Sequence, residues 1–490
     1  MDERPNGPAP EEPLAAAEVW RRASGGAALL AARGALVLGL GFVANLVLAR
    51  LLEPRDFGLM ALGSVLLVFG GYFAEGGLGA ALIRREQPAS RRELEAVNGL
   101  QIAATSGLVL VAAAIALPFG SDGAVVVAMV ATLPVTILRA PTIVVLERRL
   151  EYRTIAVVEL VESTAFYVGA VSLVAVGMGV WGVAAAMAIR ALVGTTAMIR
   201  LGPLGLVRPR WAWAEARPLV GFGARVQLLS LVGMGREQGL NVGIASIAGV
   251  ATLGVWNLAF RVLQVPSMLT TAATRVGFPA VARLLETGRD PRGTLERGVA
   301  TLAVAIGLVV VAMAGFAPAL PALVGDAWNE VPATVAWSGI AVLLNGPVYV
   351  MTAGYLYAVD DVSAVIRAAL AQTAVWFAVA LPLLDTLGAE AIGLGWIAGG
   401  ALNSLMLARR TRQHTGASLV ANLLPPAAAA IAAGGVGWFV ASAGTETVLD
   451  GVAGALAGEL VLVAALFLAR RALLRDAYRL ITGSVRGAPA

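Results

Sequence analysis

Residues Asn257, Arg261, Gln264, Met268, Thr271 and Arg275 lie in a strongly apolar stretch at spacings of i, i+4, i+7, i+11, i+14 and i+18. On a helix those intervals bring all six side chains to one face. A charged side chain at mid-membrane costs about 2.5–3.5 kcal/mol on insertion scales, so the face must meet water, buried partners or a ligand instead of lipid. A guanidinium keeps its charge and offers a fixed fork of donors, so the chemistry these residues suit is capture of an anion. Arg261 stands eight residues below the preceding turn, roughly 12 Å along a helix, too deep for easy snorkelling to the near surface. Arg275 is nearer the opposite end and reads as a gate or mouth residue. Arg236, followed by Glu237, belongs to the preceding apolar stretch, three helical turns from Arg225.

A second set of charged residues stands in the first half. Arg33 and Glu75 are single charges in two apolar stretches; Glu75 is either a counter-ion for Arg33 or a proton-coupling carboxylate. Glu159 and Glu162, at i and i+3, have Arg190 and Arg139 as prospective partners, with a transport role as the alternative. Paired carboxylates also suit glycoside hydrolysis, but these two lie inside a membrane stretch with no substrate domain.

The elements that must hold these groups are membrane helices. The chain has 490 residues, of which 58% are hydrophobic and 14% charged, and a mean hydropathy of +0.81. Soluble domains are roughly 45–50% apolar and about 25% charged. Apolar runs recur about fourteen times, each extendable to the roughly 20 residues that cross a bilayer. The expected fold is therefore all-α and polytopic, with helices satisfying their own backbone polar groups. Cysteine is absent, which excludes disulfides, thiolate metal sites and cysteine nucleophiles. The single histidine, His414, reads as a solvated residue of an arginine-rich loop, so no metal site, cofactor or catalytic group is expected.

All 36 basic residues are arginine, against 31 acids. They gather in alternate breaks between spans, at Arg84, Arg85, Arg91 and Arg92, at Arg148, Arg149 and Arg153, and at Arg409, Arg410 and Arg412. The intervening breaks are short and mostly acidic ("VGDAWNEV", "LDTLGAE", "GTETVLD"). This asymmetry predicts cytoplasmic termini and an even number of spans. The charge accordingly speaks to topology and not to nucleic acid. The short loops leave no room for an external catalytic domain, and no nucleotide-binding loop of the G-x-x-x-x-G-K-[ST] type occurs.

Sliding the chain on itself so that Asn45 falls on Asn241 also aligns Ala49 with Ala245, Gly58 with Gly254 and Leu62 with Leu258. Six helices per copy give parallel repeats, a transporter pattern that expects binding between the halves. The expected organisation is a cytoplasmic segment (1–23), a first lobe (24–200), a linker (201–217), a second lobe (218–410), a helix pair (411–470) and a cytoplasmic tail (471–490). Trp211 and Trp213, among arginines in the linker, read as an interfacial anchor.

Three stretches carry a family resemblance: "LARLLEPRDFGLMALGSVLLVFGGYFAEGGLGAALIRRE", "LERRLEYRTIAVVEL" and "TLGVWNLAFRVLQVPSMLTTAATRVGFPAVARL". They resemble the polysaccharide transporter branch, the O-antigen and exopolysaccharide flippases, of the multidrug/oligosaccharidyl-lipid/polysaccharide (MOP) exporter superfamily. The resemblance spans roughly residues 24–410. It implies two six-helix lobes, MATE-like, followed here by a helix pair. It also implies flipping of polyprenyl-diphosphate-linked oligosaccharide by alternating access, which makes a bacterial cytoplasmic membrane the expected location; membrane lipid, H+ or Na+ for coupling, and glycan-assembly proteins are the partners to test. On that implication Arg261, Arg236, Arg33 and Arg275 serve the diphosphate, Asn257 and Gln264 the sugar hydroxyls, and Glu75, Glu159 and Glu162 coupling or ion pairing. The family commonly has an acid at the Glu75 position and a recurrent one at Glu159. The rivals are an ion-coupled multidrug exporter of the same superfamily, a membrane enzyme of envelope glycan assembly and a non-transporting scaffold.

Overall fold

The computed structural model describes residues 16–75, 77–84, 87, 89–286, 290–469, 473 and 475. The ends expected to be cytoplasmic, 1–15 and 476–490, lie outside the described residues. Every regular element among the described residues is a helix. Ten helical segments are long and apolar enough to cross a membrane, or eleven if one bent pair forms a single span. One of the ten, Tyr152–Leu201, holds two helices, and the segment that carries the arginine face is not among the ten because Asn257, Arg261 and Gln264 lower its hydropathy. The protein is a multi-pass membrane protein.

The chain divides into two compact units, residues 1–52 with 56–242, and residues 53–55 with 243–490. In the first unit the helices are α1 (Ala16–Leu51), α2 (Pro54–Glu75), α3 (Leu78–Arg84), α4 (Arg91–Ala116), α5 (Ser121–Val130), α6 (Leu133–Ile137), α7 (Ala140–Arg148), α8 (Tyr152–Leu173), α9 (Gly179–Leu201) and most of α10 (Trp213–Ile247). The start of α4 follows from its residues: Ser90 Oγ accepts from the Glu93 backbone N–H, and the Glu93 carboxylate accepts from the Ser90 N–H at 2.8 Å. That reciprocal cap satisfies two otherwise orphaned donors. α8 and α9 are separated at Gly177 and Gly179, with φ of 91° and 52°, a left-handed backbone that only glycine adopts without strain. The two helices then pack against each other, and α1 packs on α8. The linker is tied to α4: Asn98 Nδ2 donates to the Val207 carbonyl at 3.2 Å, and Arg210 N–H to the Glu95 carbonyl at 3.0 Å.

The second unit contains α11 (Gly249–Glu286), α12 (Arg292–Phe316), α13 (Leu320–Val324), α14 (Val331–Ala358), α15 (Val362–Leu387), α16 (Glu390–Thr415), α17 (Leu419–Ser442) and α18 (Val448–Ala469). Leu295, Val299, Ala303, Ile306, Leu343 and Leu356 are among its fully buried side chains. Lipid tails are as apolar as leucine, so contact between these helices depends on close packing of small residues. A Cβ on Gly454 of α18 would lie 2.5 Å from the carbonyls of both Gly315 (α12) and Gly437 (α17). Between α15 and α16, a Cβ on Gly395 would lie 2.7 Å from the Trp376 carbonyl. α10 and α11 meet at Gly249, φ 86°, and the offset that aligns Asn45 with Asn241 also places the end of α1 at Leu51 on the end of α10 at Ile247.

Candidate functional site

α11 is amphipathic in the sense that the spacing predicts. Trp256, Ala259 and Leu263 form a fully covered face, exposed by 4%, 0% and 0%. On the other side Asn257 and Arg261 are half-buried, while Gln264, Met268, Thr271 and Arg275 are exposed. No acid stands in α11 before its last residue, Glu286. The helix also carries a run of hydroxyls, of which the sequence spacing singled out only Thr271. Ser267, Thr271 and Thr274 donate to the carbonyls one turn back, Leu263, Ser267 and Thr270, at 2.9, 3.0 and 2.8 Å. Their oxygens keep lone pairs available as acceptors. Asn257 Nδ2 is held by the Leu253 carbonyl at 3.1 Å, leaving the amide oxygen to other donors. Pro266 has no N–H to give the Val262 carbonyl, which loosens the backbone just beyond Arg261 and Gln264.

The first unit arranges its charges differently. Arg33 of α1 forms an ion pair with Glu159 of α8. Glu162, one turn further along α8 and buried, pairs with Arg139 and receives Arg190 Nη2 at 3.2 Å. Arg139 is mostly buried and Arg190 nearly half exposed, its guanidinium 5.8 Å from the centre of the Phe166 ring. Gly194 makes room for this group, since any Cβ there would collide with the Glu162 carboxylate and the Arg139 guanidinium. The counter-ion of Arg33 is thus Glu159 and not Glu75, the one acid weighed for it from the sequence, which is exposed at the end of α2. Both arginines offered as partners for the α8 acids converge on Glu162 alone.

Arg236 is half-buried on α10, 3.9 Å from Glu237 Oε1. The Arg225 side chain lies outside the described residues. His414 corrects its sequence reading, because it lies in the last turn of α16 and not in a loop. Its Nε2 is 3.6 Å from Asp361 Oδ2 and its ring packs edge-on to Tyr355. Asp361, between two spans, also accepts from Arg410, whose guanidinium holds the carboxyl below its ordinary range. Trp211 and Trp213 are exposed, at 68% and 49%.

A family model described as "Polysaccharide biosynthesis protein" matches residues 47–333. The lipopolysaccharide biosynthesis protein WzxC of Escherichia coli (strain K12) is 25% identical over 317 residues, 60% of this chain and 62% of that protein. The succinoglycan biosynthesis transport protein ExoT of Rhizobium meliloti (strain 1021) is 24% identical over 264 residues, 50% of this chain and 51% of that one. The matched region thus spans between half and two thirds of these relatives. In fold, the chain resembles the lipid II flippase MurJ in an inward closed conformation, with a TM-score of 0.69 at 12% identity, covering 91% of this chain and 100% of that one. It also resembles an inward-facing multidrug resistance MATE family transporter of the MOP superfamily, with a TM-score of 0.56 at 16% identity over 77% of this chain and 94% of that one. The family model covers more than half of the chain, and this protein belongs to the polysaccharide biosynthesis protein family.

Proposed function

We propose that this protein is a flippase that carries a polyprenyl-diphosphate-linked oligosaccharide, a precursor of cell-surface polysaccharide, across the bacterial cytoplasmic membrane by alternating access. The observation that carries this reading is α11, a helix with no acid before its last residue, with Arg261 half-buried and Gln264, Thr271 and Arg275 exposed along one face. In a low-dielectric passage such a face favours an anion strongly, and the guanidinium fork suits diphosphate oxygens. Asn257, Gln264 and the hydroxyls of Ser267 and Thr271 then serve sugar hydroxyls. Arg275 guards the inner mouth; Arg236, and Arg33 through its pair with Glu159, are the first unit's candidates for contact with the same anion. The lobes that move are residues 24–200 and 218–410, joined through 201–217, with 411–470 as an accessory pair and both termini cytoplasmic. Glu75, Glu159 and Glu162 serve H+ or Na+ coupling, ion pairing or both.

The relatives named for lipopolysaccharide biosynthesis and succinoglycan transport support this substrate class. Flipping breaks no covalent bond, so the protein needs no catalytic group. The fold shared with a multidrug transporter favours one other reading, an ion-coupled drug exporter; many such drugs are cations, and the α11 face repels them. Depletion of the protein in a strain without a redundant flippase, followed by leaflet-resolved analysis of lipid-linked sugars, tests the choice. Build-up of lipid-linked oligosaccharide on the cytoplasmic leaflet is expected. Unchanged distribution, with sensitivity to cationic drugs instead, favours the exporter.

A further inference from the structure

The second unit contains a cavity of about 320 Å³ between α12, α14 and α17. Its walls include Val310, Ala314, Ala336, Trp337, Gly435 and Trp438, and all its lining side chains are aliphatic or indole, or absent at glycine. The cavity opens to the surface. Trp337 and Ile431 are each 39% exposed, and a Cβ built on Gly435 meets nothing within 4 Å. A wall of this composition open to a bilayer is suited to a hydrocarbon chain.

The rim selects among the chains that a membrane offers. Trp337 Nε1–H donates to Glu390 Oε2 at 3.2 Å. The Glu330 carboxylate lies 3.3 Å from the Cβ position of Gly388, two residues from Glu390. Among the described residues neither Glu330 nor Glu390 has an ion-pair partner. The breaks at this end of the unit, 317–334, 381–394 and 440–452, hold Asp326, Glu330, Asp385, Glu390, Glu446 and Asp450 and no arginine, lysine or histidine. A lipid with a diphosphate or other anionic head therefore meets only repulsion here. An ammonium head meets two carboxylates for charge-assisted hydrogen bonds and the Trp337 ring for a cation–π contact. The absence of arginine also marks this end as the outer one.

We propose that this cavity binds one acyl chain of an outer-leaflet phospholipid whose head carries an ammonium group, seated against Glu390 and Glu330. The site is separate from the α11 face and does not depend on what that face carries.

The full chain in nanodiscs of equal phosphatidylethanolamine and phosphatidylglycerol provides the test, with lipid retained after detergent extraction counted by native mass spectrometry. One retained phosphatidylethanolamine is expected, favoured over phosphatidylglycerol by about threefold, the scale of partly exposed ionic contacts. Gly435→Leu fills the cavity and should remove the retained lipid. The double change Glu330→Gln with Glu390→Gln leaves the walls intact and should keep a lipid while bringing the ratio to one. Equal retention of both lipids by the unaltered protein overturns the proposal, as does preference for phosphatidylglycerol. Displacement of phosphatidylethanolamine by added polyprenyl diphosphate does so as well, and assigns the cavity to the anionic carrier.

Discussion

The arginines of the first unit and those of α11 occupy similarly apolar helices, but the two regions differ in the acids that their helices carry. Arg33 and Arg139 each meet a carboxylate from α8, and Arg190 shares the one that holds Arg139. α11 sets Arg261 and Arg275 among amides and hydroxyls, in a helix without an acid before Glu286. On the proposed function, intramembrane charge has two uses in one molecule. Ion pairs tie α8 to its neighbours, whereas α11 gathers its arginines with amides and hydroxyls on one helix face, the face proposed above to meet the anion. A mutation should harm stability in the first region and transport in the second.

The largest expected effect is at Arg261. Arg261→Ala should reduce flipping of lipid-linked oligosaccharide to background in a complementation assay, with membrane insertion and thermal unfolding retained. Arg261→Lys should rescue only part of the activity, because a point charge lacks the planar fork. Full transport by Arg261→Ala would break the comparison at its centre. Next is Glu162→Gln, which leaves the mostly buried Arg139 without its carboxylate. Breaking a buried pair in this way costs about 3–5 kcal/mol, and thermal unfolding in detergent should show that loss whether or not transport survives. Glu159→Gln sharpens the contrast within one helix. Its pair with Arg33 is about one third exposed, so the loss should stay within about 1 kcal/mol.

The smallest effect belongs to Asp361, outside the spans. The Arg410 hydrogen bond lowers its folded pKa from the ordinary 3.8. A lowered folded pKa gives stability that is complete above the unfolded value and disappears as pH falls through the folded one. Asp361→Asn should therefore shift unfolding only slightly at neutral pH and not at all in strong acid, as melting curves across an acid series would show.

How much of this was legible in the sequence depends on distance along the chain. The α11 face was legible because helical periodicity is local, and Asn257, Arg261 and Gln264 fall on it by arithmetic alone. The capping box at Ser90 and Glu93 is local too. The choice of Glu159 for Arg33, 126 residues away, was not legible, since Glu75 stood nearer in sequence and carried the same charge. Nor was the convergence of Arg139 and Arg190 on Glu162, which depends on Gly194 leaving room for both groups. His414 read as a loop residue because arginine-rich sequence resembles a break between spans, whereas α16 continues through it to Thr415.

Composition by itself determined that the chain lives in a membrane, because a backbone in hydrocarbon must satisfy its own polar groups and 58% hydrophobic residues leave little else to build. Periodicity determined that α11 has one polar face, and the loops determined the separation of arginine-rich from acidic breaks. Only the tertiary structure decided which charges cancel, where Gly315, Gly437 and Gly454 bring three backbones together, and that α12, α14 and α17 leave an apolar cavity beside an acidic rim. Those outcomes depend on contacts between helices remote in sequence, set by side-chain volume and crossing geometry, and no local pattern records them.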